Sequence, residues 1–335
     1  MLTPQQFRDI VSGRRRGIVS GLWRCVLGIA EYPYRWEVQR RNHHYDSGKL
    51  EVHRVGVPVI SVGNITMGGT GKTPMVEWLA RWFRKHDVRV CLISRGYGAE
   101  EGSRNDEALE LEQKLPDVPH IQNPDRVAAA EMAIEEFDTQ LIILDDAFQH
   151  RRIHRDLNIA LIDAIEPFGY DHVFPRGTLR EPLTGLKRAN LVALTRADMT
   201  DAGGRFQIRG EVEKYHPAVP WVELIHSPQA LLSASGEQKP IRSLFQRPVA
   251  AFSGIGNPAG FRHTIEECDY HLKKWREFPD HHNYSREDVE SLNSWVAEAG
   301  VEAAFSTHKD LVKLGVSELG GVPLWAISVG MEFIF

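Results

Sequence analysis

The stretch Val57 to Pro74, VPVISVGNITMGGTGKTP, leaves this chain few folding options. The apolar run from Val57 to Val62 has the length of a buried strand. It passes through Gly68-Gly69-Thr70-Gly71 and enters a helix at Lys72-Thr73. Strand, glycine-rich turn and Gly-Lys-Thr together form the layout of a phosphate-binding loop. Glycines let successive backbone N–H groups turn inward, and the helix N-terminus adds positive potential. Lys72 reaches the terminal phosphates, while the Thr73 hydroxyl can hold Mg²⁺. The cradle is then Thr66, Met67, Gly68, Gly69, Thr70, Gly71, Lys72 and Thr73. One position departs from the strict pattern, which has glycine where this chain has Thr66. An ordinary glycine-rich turn between strand and helix is the competing explanation, and it does not require Gly-Lys-Thr at the helix start.

Further along, Leu141–Leu144 is a short apolar strand running into Asp145-Asp146. In folds with a phosphate loop, a buried strand ending in carboxylates brings the second Mg²⁺ ligand to the site. Asn158–Ile162 and Leu191–Leu194 are two more apolar strands, and helical stretches alternate with them, as near Lys72–Lys85 and Pro124–Phe137. This alternation predicts a parallel sheet covered on both faces. From Met199 to Pro248 the pattern loosens. A second series begins at Val249–Phe252 and continues through a helix near Ser285–Ala299, a strand Ala303–Ser306 and a last strand Leu324–Val329. The expected architecture is α/β. It has an N-terminal helix and connector over 1–50, a nucleotide-binding lobe over 51–200, a connecting segment over 201–248 and a smaller α/β lobe over 249–335.

Charge separates one more part of the chain. The net charge is −5, which argues against general nucleic-acid binding. The first 45 residues nonetheless hold eight arginines against Asp9, Glu31 and Glu37, or +5, leaving −10 for the rest. Arg14-Arg15-Arg16 followed by Ile18, Val19, Leu22, Trp23, Val26, Leu27 and Ile29 reads as a basic amphipathic helix. Such a helix either lies in a membrane interface, with arginines at anionic head groups, or packs on its own domain. No apolar run reaches the length of a membrane span. The cysteines Cys25, Cys91 and Cys268 are scattered, make no CxxC pair and suggest neither a zinc site nor a disulfide framework.

Five stretches in order, GNITMGGTGKTP (63–74), SRGYG (94–98), DDAFQHR (145–151), RGTLREP (176–182) and DHHNYS (280–285), carry a resemblance to the tetraacyldisaccharide 4′-kinase family of lipid A biosynthesis. The resemblance runs from about Arg14 to the C-terminus. It implies transfer of the γ-phosphoryl group of ATP to the 4′-hydroxyl of a tetraacylated disaccharide 1-phosphate. It also implies a peripheral place at the cytoplasmic face of the inner membrane, with no protein partner evident. Two departures stand out: Ala147 where the family usually has glycine, and Thr307-His308-Lys309-Asp310 where it has Thr-Glu-Lys-Asp.

Phosphoryl transfer needs charge neutralisation, in-line positioning and a destination for the hydroxyl proton. By this resemblance, Lys72 and the 66–73 backbone hold the phosphates, and Thr73 with Asp145 or Asp146 holds Mg²⁺. Arg180 stabilises the transferring group or the leaving phosphate, with Glu181 orienting it. Asp106 is the base, with His281 as its partner. Asp106 is expected in the first lobe and His281 in the second, so the pair would form only as a cleft closes. A GTP-hydrolysing switch or metallochaperone without a lipid substrate is the alternative, and a nucleotide-binding membrane scaffold is a third. Thr195-Arg196-Ala197-Asp198 loosely resembles the guanine-reading tetrapeptide of GTP-binding proteins, although a strand-end threonine and a solvated turn account for it. The Asp145 region lacks the Asp-x-x-Gly switch of those proteins.

Overall fold

The computed structural model describes residues 4–96, 106–280 and 282–334. In chain order the elements are α1 (Pro4–Val11), α2 (Ile18–Asp46), β1 (Val59–Asn64), α3 (Lys72–Arg84), β2 (Val90–Ser94), α4 (Asp106–Lys114), β3 (His120–Gln122), α5 (Arg126–Phe137), β4 (Leu141–Asp145), β5 (Leu157–Asp163) and β6 (Leu191–Thr195). They continue with α6 (Ala202–Glu213), β7 (Trp221–Leu232), β8 (Gln238–Pro240), β9 (Pro248–Ser253), α7 (Pro258–Glu267), β10 (His271–Glu277), α8 (Arg286–Ala297), β11 (Ala303–Ser306), α9 (His308–Leu314), β12 (Glu318–Leu319) and β13 (Val322–Ile334). The chain divides into two compact units, residues 1–97, 117–224 and 333–335 in the first and 98–116 with 225–332 in the second.

In the first unit the strand order is β7-β6-β5-β1-β4-β2-β3, and every pairing is parallel. β1 and β4 are buried at every position, which is why they read as unbroken apolar runs rather than alternating ones. On one face α5 packs Val127, Ala129, Ala130 and Ala133 against Ile142 and Leu144. Small alanines let the helix approach the sheet closely. Asp125 caps α5 by accepting the Val127 and Ala128 amides.

The second unit has a parallel run, β10-β9-β11-β13, with β7 beside β13 and with β8 and β12 as antiparallel additions. Its core lies on both faces, with Phe305 and Trp325 on one side and Phe252 and Leu292 on the other. A capping box opens α8, Ser285 and Asp288 satisfying each other's backbone donors.

Three features differ from the sequence expectation. α2 does not stop near Ile29 but continues to Asp46, because its polar and aromatic second half packs on the first unit while keeping helical spacing. α6 and β7 fill part of the stretch read as loosened; Asp201 caps α6 and the helix absorbs Gly203-Gly204. The described residues 106–116 belong with the second unit rather than with a continuous 51–200 lobe. The reason is packing: α4 buries Ala108 and Leu111 and contacts α9.

Candidate active site

β1 delivers the chain to the loop, and the loop's first half is held as an edge pairing. Thr66 bridges antiparallel to Leu179, the Met67 amide donates to the Thr178 carbonyl at 2.7 Å, and the Arg180 amide donates to the Ile65 carbonyl at 2.7 Å. This pairing explains the departure at Thr66, which is buried and extended and has no need of glycine's freedom. The second half does need it. Gly68 and Gly71 have φ of +127° and +79°, and Gly71 caps α3 from the left-handed region. Lys72 and Thr73 open α3 as buried residues, Lys72 only 9 % exposed.

β4 ends at Asp145, paired in register with Val62 of β1, so the carboxylates emerge beside the loop. Asp146 follows with φ +51°, a left-handed conformation that aspartate tolerates. Arg180 Nη1 donates to both its oxygens, at 2.7 and 2.9 Å, and Lys72 Nζ stands 3.8 Å from Oδ1. Burial pushes the Asp146 pKa up, but Lys72 and Arg180 outweigh it and hold the carboxyl below its ordinary value. The site therefore gathers two cations on one ionised carboxylate at the C-terminal ends of parallel strands, where open α/β sheets place their ligands.

Asp145, Asp146 and Thr73 present carboxylate and hydroxyl oxygens, the hard donors that Mg²⁺ prefers, and the ion would find the rest of its shell in water and phosphate. The donor set fits the cofactor the sequence implies.

The neighbouring residues correct the sequence reading at several points. Glu181 does not orient Arg180. It is fully buried and accepts Arg188 Nη2 at 2.7 and 2.8 Å, Gln149 Nε2 at 3.0 Å and Asn42 Nδ2 at 3.1 Å. It thereby ties α2, the DDAFQHR turn and the RGTLREP segment together. Arg196 is not solvated: it is 7 % exposed, paired with Asp163, and donates to the Gly69 carbonyl at 2.6 Å. Ala147 replaces glycine without strain, because the left-handed residue is Asp146 and the Ala147 methyl is buried in the α5-facing core.

Arg126 escaped the sequence reading altogether. It is buried at the start of α5; burial and the Arg95 charge lower its pKa, against the fields of Asp146 and Asp145. The available signal was a charged residue heading the core-facing positions of an alanine-rich helix.

In the second unit Asp106 opens α4, and its side chain lies outside the described residues, as does His281. Buried Glu110 pairs with Lys114 at 2.9 Å; burial raises its pKa, while Lys114, Lys309 and His308 more than reverse that. His308, the departure from the family's acid, is thus among the residues that lower the Glu110 pKa. Asp310 is fully buried and accepts the Gly254 amide at 3.1 Å, the Tyr284 hydroxyl at 2.9 Å and Thr307 Oγ1 at 2.6 Å. α4 belongs to the same unit as Asp280 and His282, contrary to the expectation that put the Asp106 region in the first lobe.

The chain's similarity to known proteins agrees with this geometry. A family model described as tetraacyldisaccharide-1-P 4′-kinase matches residues 23–334. A tetraacyldisaccharide 4′-kinase of Geobacter metallireducens is 38 % identical over 316 residues, 88 % of this chain and 90 % of that one. Another, of Anaeromyxobacter sp. (strain K), is 36 % identical over 317 residues, 90 % of this chain and 84 % of the relative. Among solved structures, LpxK from Aquifex aeolicus in complex with ATP aligns with a TM-score of 0.74 and 31 % identity, covering 93 % of this chain and 95 % of that one.

Proposed function

The chain belongs to the tetraacyldisaccharide-1-P 4′-kinase family, and from that premise we propose how its residues divide the work. The reaction is ATP-dependent phosphorylation of the 4′-hydroxyl of the lipid A precursor; a nucleotide switch without lipid substrate is not favoured. The observation that carries the division is the meeting of Lys72 and Arg180 on Asp146. Without nucleotide, Asp146 provides the negative charge that both cations need. When ATP occupies the loop, its phosphate oxygens take over that role: the 66–73 backbone and Lys72 hold the phosphates, and Arg180 faces the charge that develops during transfer. Thr73, Asp145 and Asp146 would hold Mg²⁺, which would neutralise phosphate charge when bound. Asp106 accepts the proton of the attacking hydroxyl and His281 orients it.

α2 supplies the approach to lipid. Ile18, Ile29 and Trp36 are 93 %, 73 % and 64 % exposed, and Leu22 and Tyr32 share their face at helical spacing. The opposite side is anchored: Glu31 accepts the Val173 amide at 2.9 Å, and the Tyr34 hydroxyl donates to the Arg180 carbonyl at 3.2 Å. An exposed apolar face beside Arg14, Arg15 and Arg16 suits the surface of an anionic bilayer, and no described helix is long and apolar enough to cross one. The face of the inner membrane that meets this helix is the cytoplasmic one, where ATP is available.

Arg180→Ala tests the division of roles. It is expected to lower kcat by about 10²–10³, as loss of one transition-state donor does, with KM for ATP nearly unchanged. A rise in ATP KM with kcat preserved would assign Arg180 to ground-state nucleotide binding instead.

A further inference from the structure

We propose that Asp163, Thr195 and Arg196 form a brace that aims the phosphate-loop amides, making Thr195 and Arg196 positioning residues for ATP. The proposal rests on the reading of residues 66–73 as the phosphate cradle. Asp163 and Thr195 end the adjacent parallel strands β5 and β6 and are register partners. Arg196 Nε donates to Asp163 Oδ1 at 2.9 Å, Nη2 makes a second bond to Oδ2, and the same Nη2 donates to the Gly69 carbonyl at 2.6 Å. Next to it, Thr195 Oγ1 donates to the Thr70 carbonyl at 3.0 Å. Arg196 and Thr195 are both buried.

The consequence follows from peptide geometry. A trans peptide is planar, with its C=O and N–H pointing in opposite directions. The Gly69 carbonyl shares a plane with the Thr70 N–H, and the Thr70 carbonyl with the Gly71 N–H. Clamping both carbonyls from the β6 side turns two consecutive N–H groups away from the brace, toward the phosphates. A loop this rich in glycine has many accessible conformations, so donors fixed beforehand spare ATP the ordering cost of arranging them.

The backbone supplies a second, independent observation. Arg196 itself sits in the left-handed region, φ 52° and ψ 40°. An arginine adopts this conformation only against a steric penalty, and such strain persists where surrounding bonds over-determine it. The bonds to Asp163 and Gly69 do so here. They also require Arg rather than Lys, because the planar fork grips the carboxylate and still reaches the carbonyl.

Two changes separate this role from general stability. Thr195→Val removes the hydroxyl and no charge. Asp163→Asn with Arg196→Met removes the brace without leaving a buried ion unpaired. ATP dissociation constants are measured by titration of the full-length protein, with KM for ATP and for lipid measured separately and folding checked by circular dichroism. Thr195→Val is expected to weaken ATP binding roughly two- to tenfold, the net worth of one hydrogen bond. The double variant should weaken it by about tenfold or more, since the lost bond is charge-assisted. KM for lipid should stay constant, and Thr195→Ser should restore binding. Unchanged ATP affinity in both folded variants, ATP and lipid constants rising together, or a serine variant no better than valine would each overturn the proposal. Lys72→Ala serves as reference. If it too leaves ATP affinity unchanged, the cradle reading fails and takes the brace with it; if only the brace variants bind normally, the brace alone fails.

Discussion

Gly63 offers a sharp test of how the carboxylate turn is placed. A Cβ built there would stand 2.6 Å from the Phe148 amide nitrogen, 2.7 Å from Phe148 Cβ and 3.2 Å from Phe148 Cα. Ordinary contact begins near 3.4 Å, so Gly63→Ala must push the Phe148 backbone out by about 0.8 Å. Phe148 lies two residues beyond Asp146 on a short turn, so the carboxylates move with it. Overpacking of this kind costs roughly 1–3 kcal/mol of stability. A misplacement near 1 Å in a catalytic constellation costs about 10²-fold in rate. Gly63→Ala is therefore expected to be folded, with a lowered Tm, and to show kcat reduced by about 10- to 100-fold well below that Tm. The assay is initial-rate phosphorylation of lipid at saturating ATP across a Mg²⁺ titration. Adding Phe148→Ala should not rescue the variant, because alanine keeps the amide nitrogen and Cβ that make the clash. A Gly63→Ala enzyme with parental kcat and Mg²⁺ requirement would refute the argument.

Replacing Ile18, Leu22 and Ile29 by serine should abolish co-sedimentation with anionic liposomes while leaving activity on a detergent-dispersed short-chain substrate; binding by the parent should weaken with salt. Burial, reinforced by the charges of Arg126 and Arg41, lowers the His150 pKa from 6.5 to about 4. The unfolded chain takes up that proton first, so the contribution to stability is complete above pH 6.5 and is lost as pH falls toward 4. Thermal melts over that range should show a shallower loss in His150→Gln, and an identical slope would contradict the assignment. Asp106→Ala and His281→Ala should each depress kcat with little change in ATP affinity. The double variant should be scarcely worse than the poorer single one, whereas multiplicative losses would mean that the two act independently.

The parts legible in the sequence were those with local causes. β1, the glycine turn and α3 follow from residues 57–85 alone, and Asp145 follows from an apolar strand that must end somewhere polar. α6 and β7 were hidden because glycines and prolines read as breaks, although a single cap at Asp201 suffices to start the helix. The second half of α2 was hidden by its polar composition, which reports the partners it meets, Glu181 and Gln149 among them, rather than its backbone. Arg126 went unread, Glu181 was given the wrong partner and Arg196 was taken as solvated, all for one shared reason. Each is a buried charge whose partners lie far away in sequence: Asp145 and Asp146 face the first, Gln149 and Asn42 hold the second, and Gly69 and Asp163 hold the third. Local pattern marks such residues as surface, and only the fold supplies the charge or carbonyl that keeps them inside.

Residues 66–73 are proposed to bind ATP for transfer to a lipid hydroxyl. The most direct measurement incubates the full chain with γ-labelled ATP, Mg²⁺ and a tetraacylated disaccharide 1-phosphate in detergent, beside Lys72→Ala. Label is expected at the 4′-position of the lipid in step with ADP release. Lys72→Ala is expected to lose at least about 10²-fold, equivalent to roughly 3 kcal/mol of transition-state stabilisation. ATP consumed without labelled lipid, or near-parental turnover by folded Lys72→Ala, would contradict it.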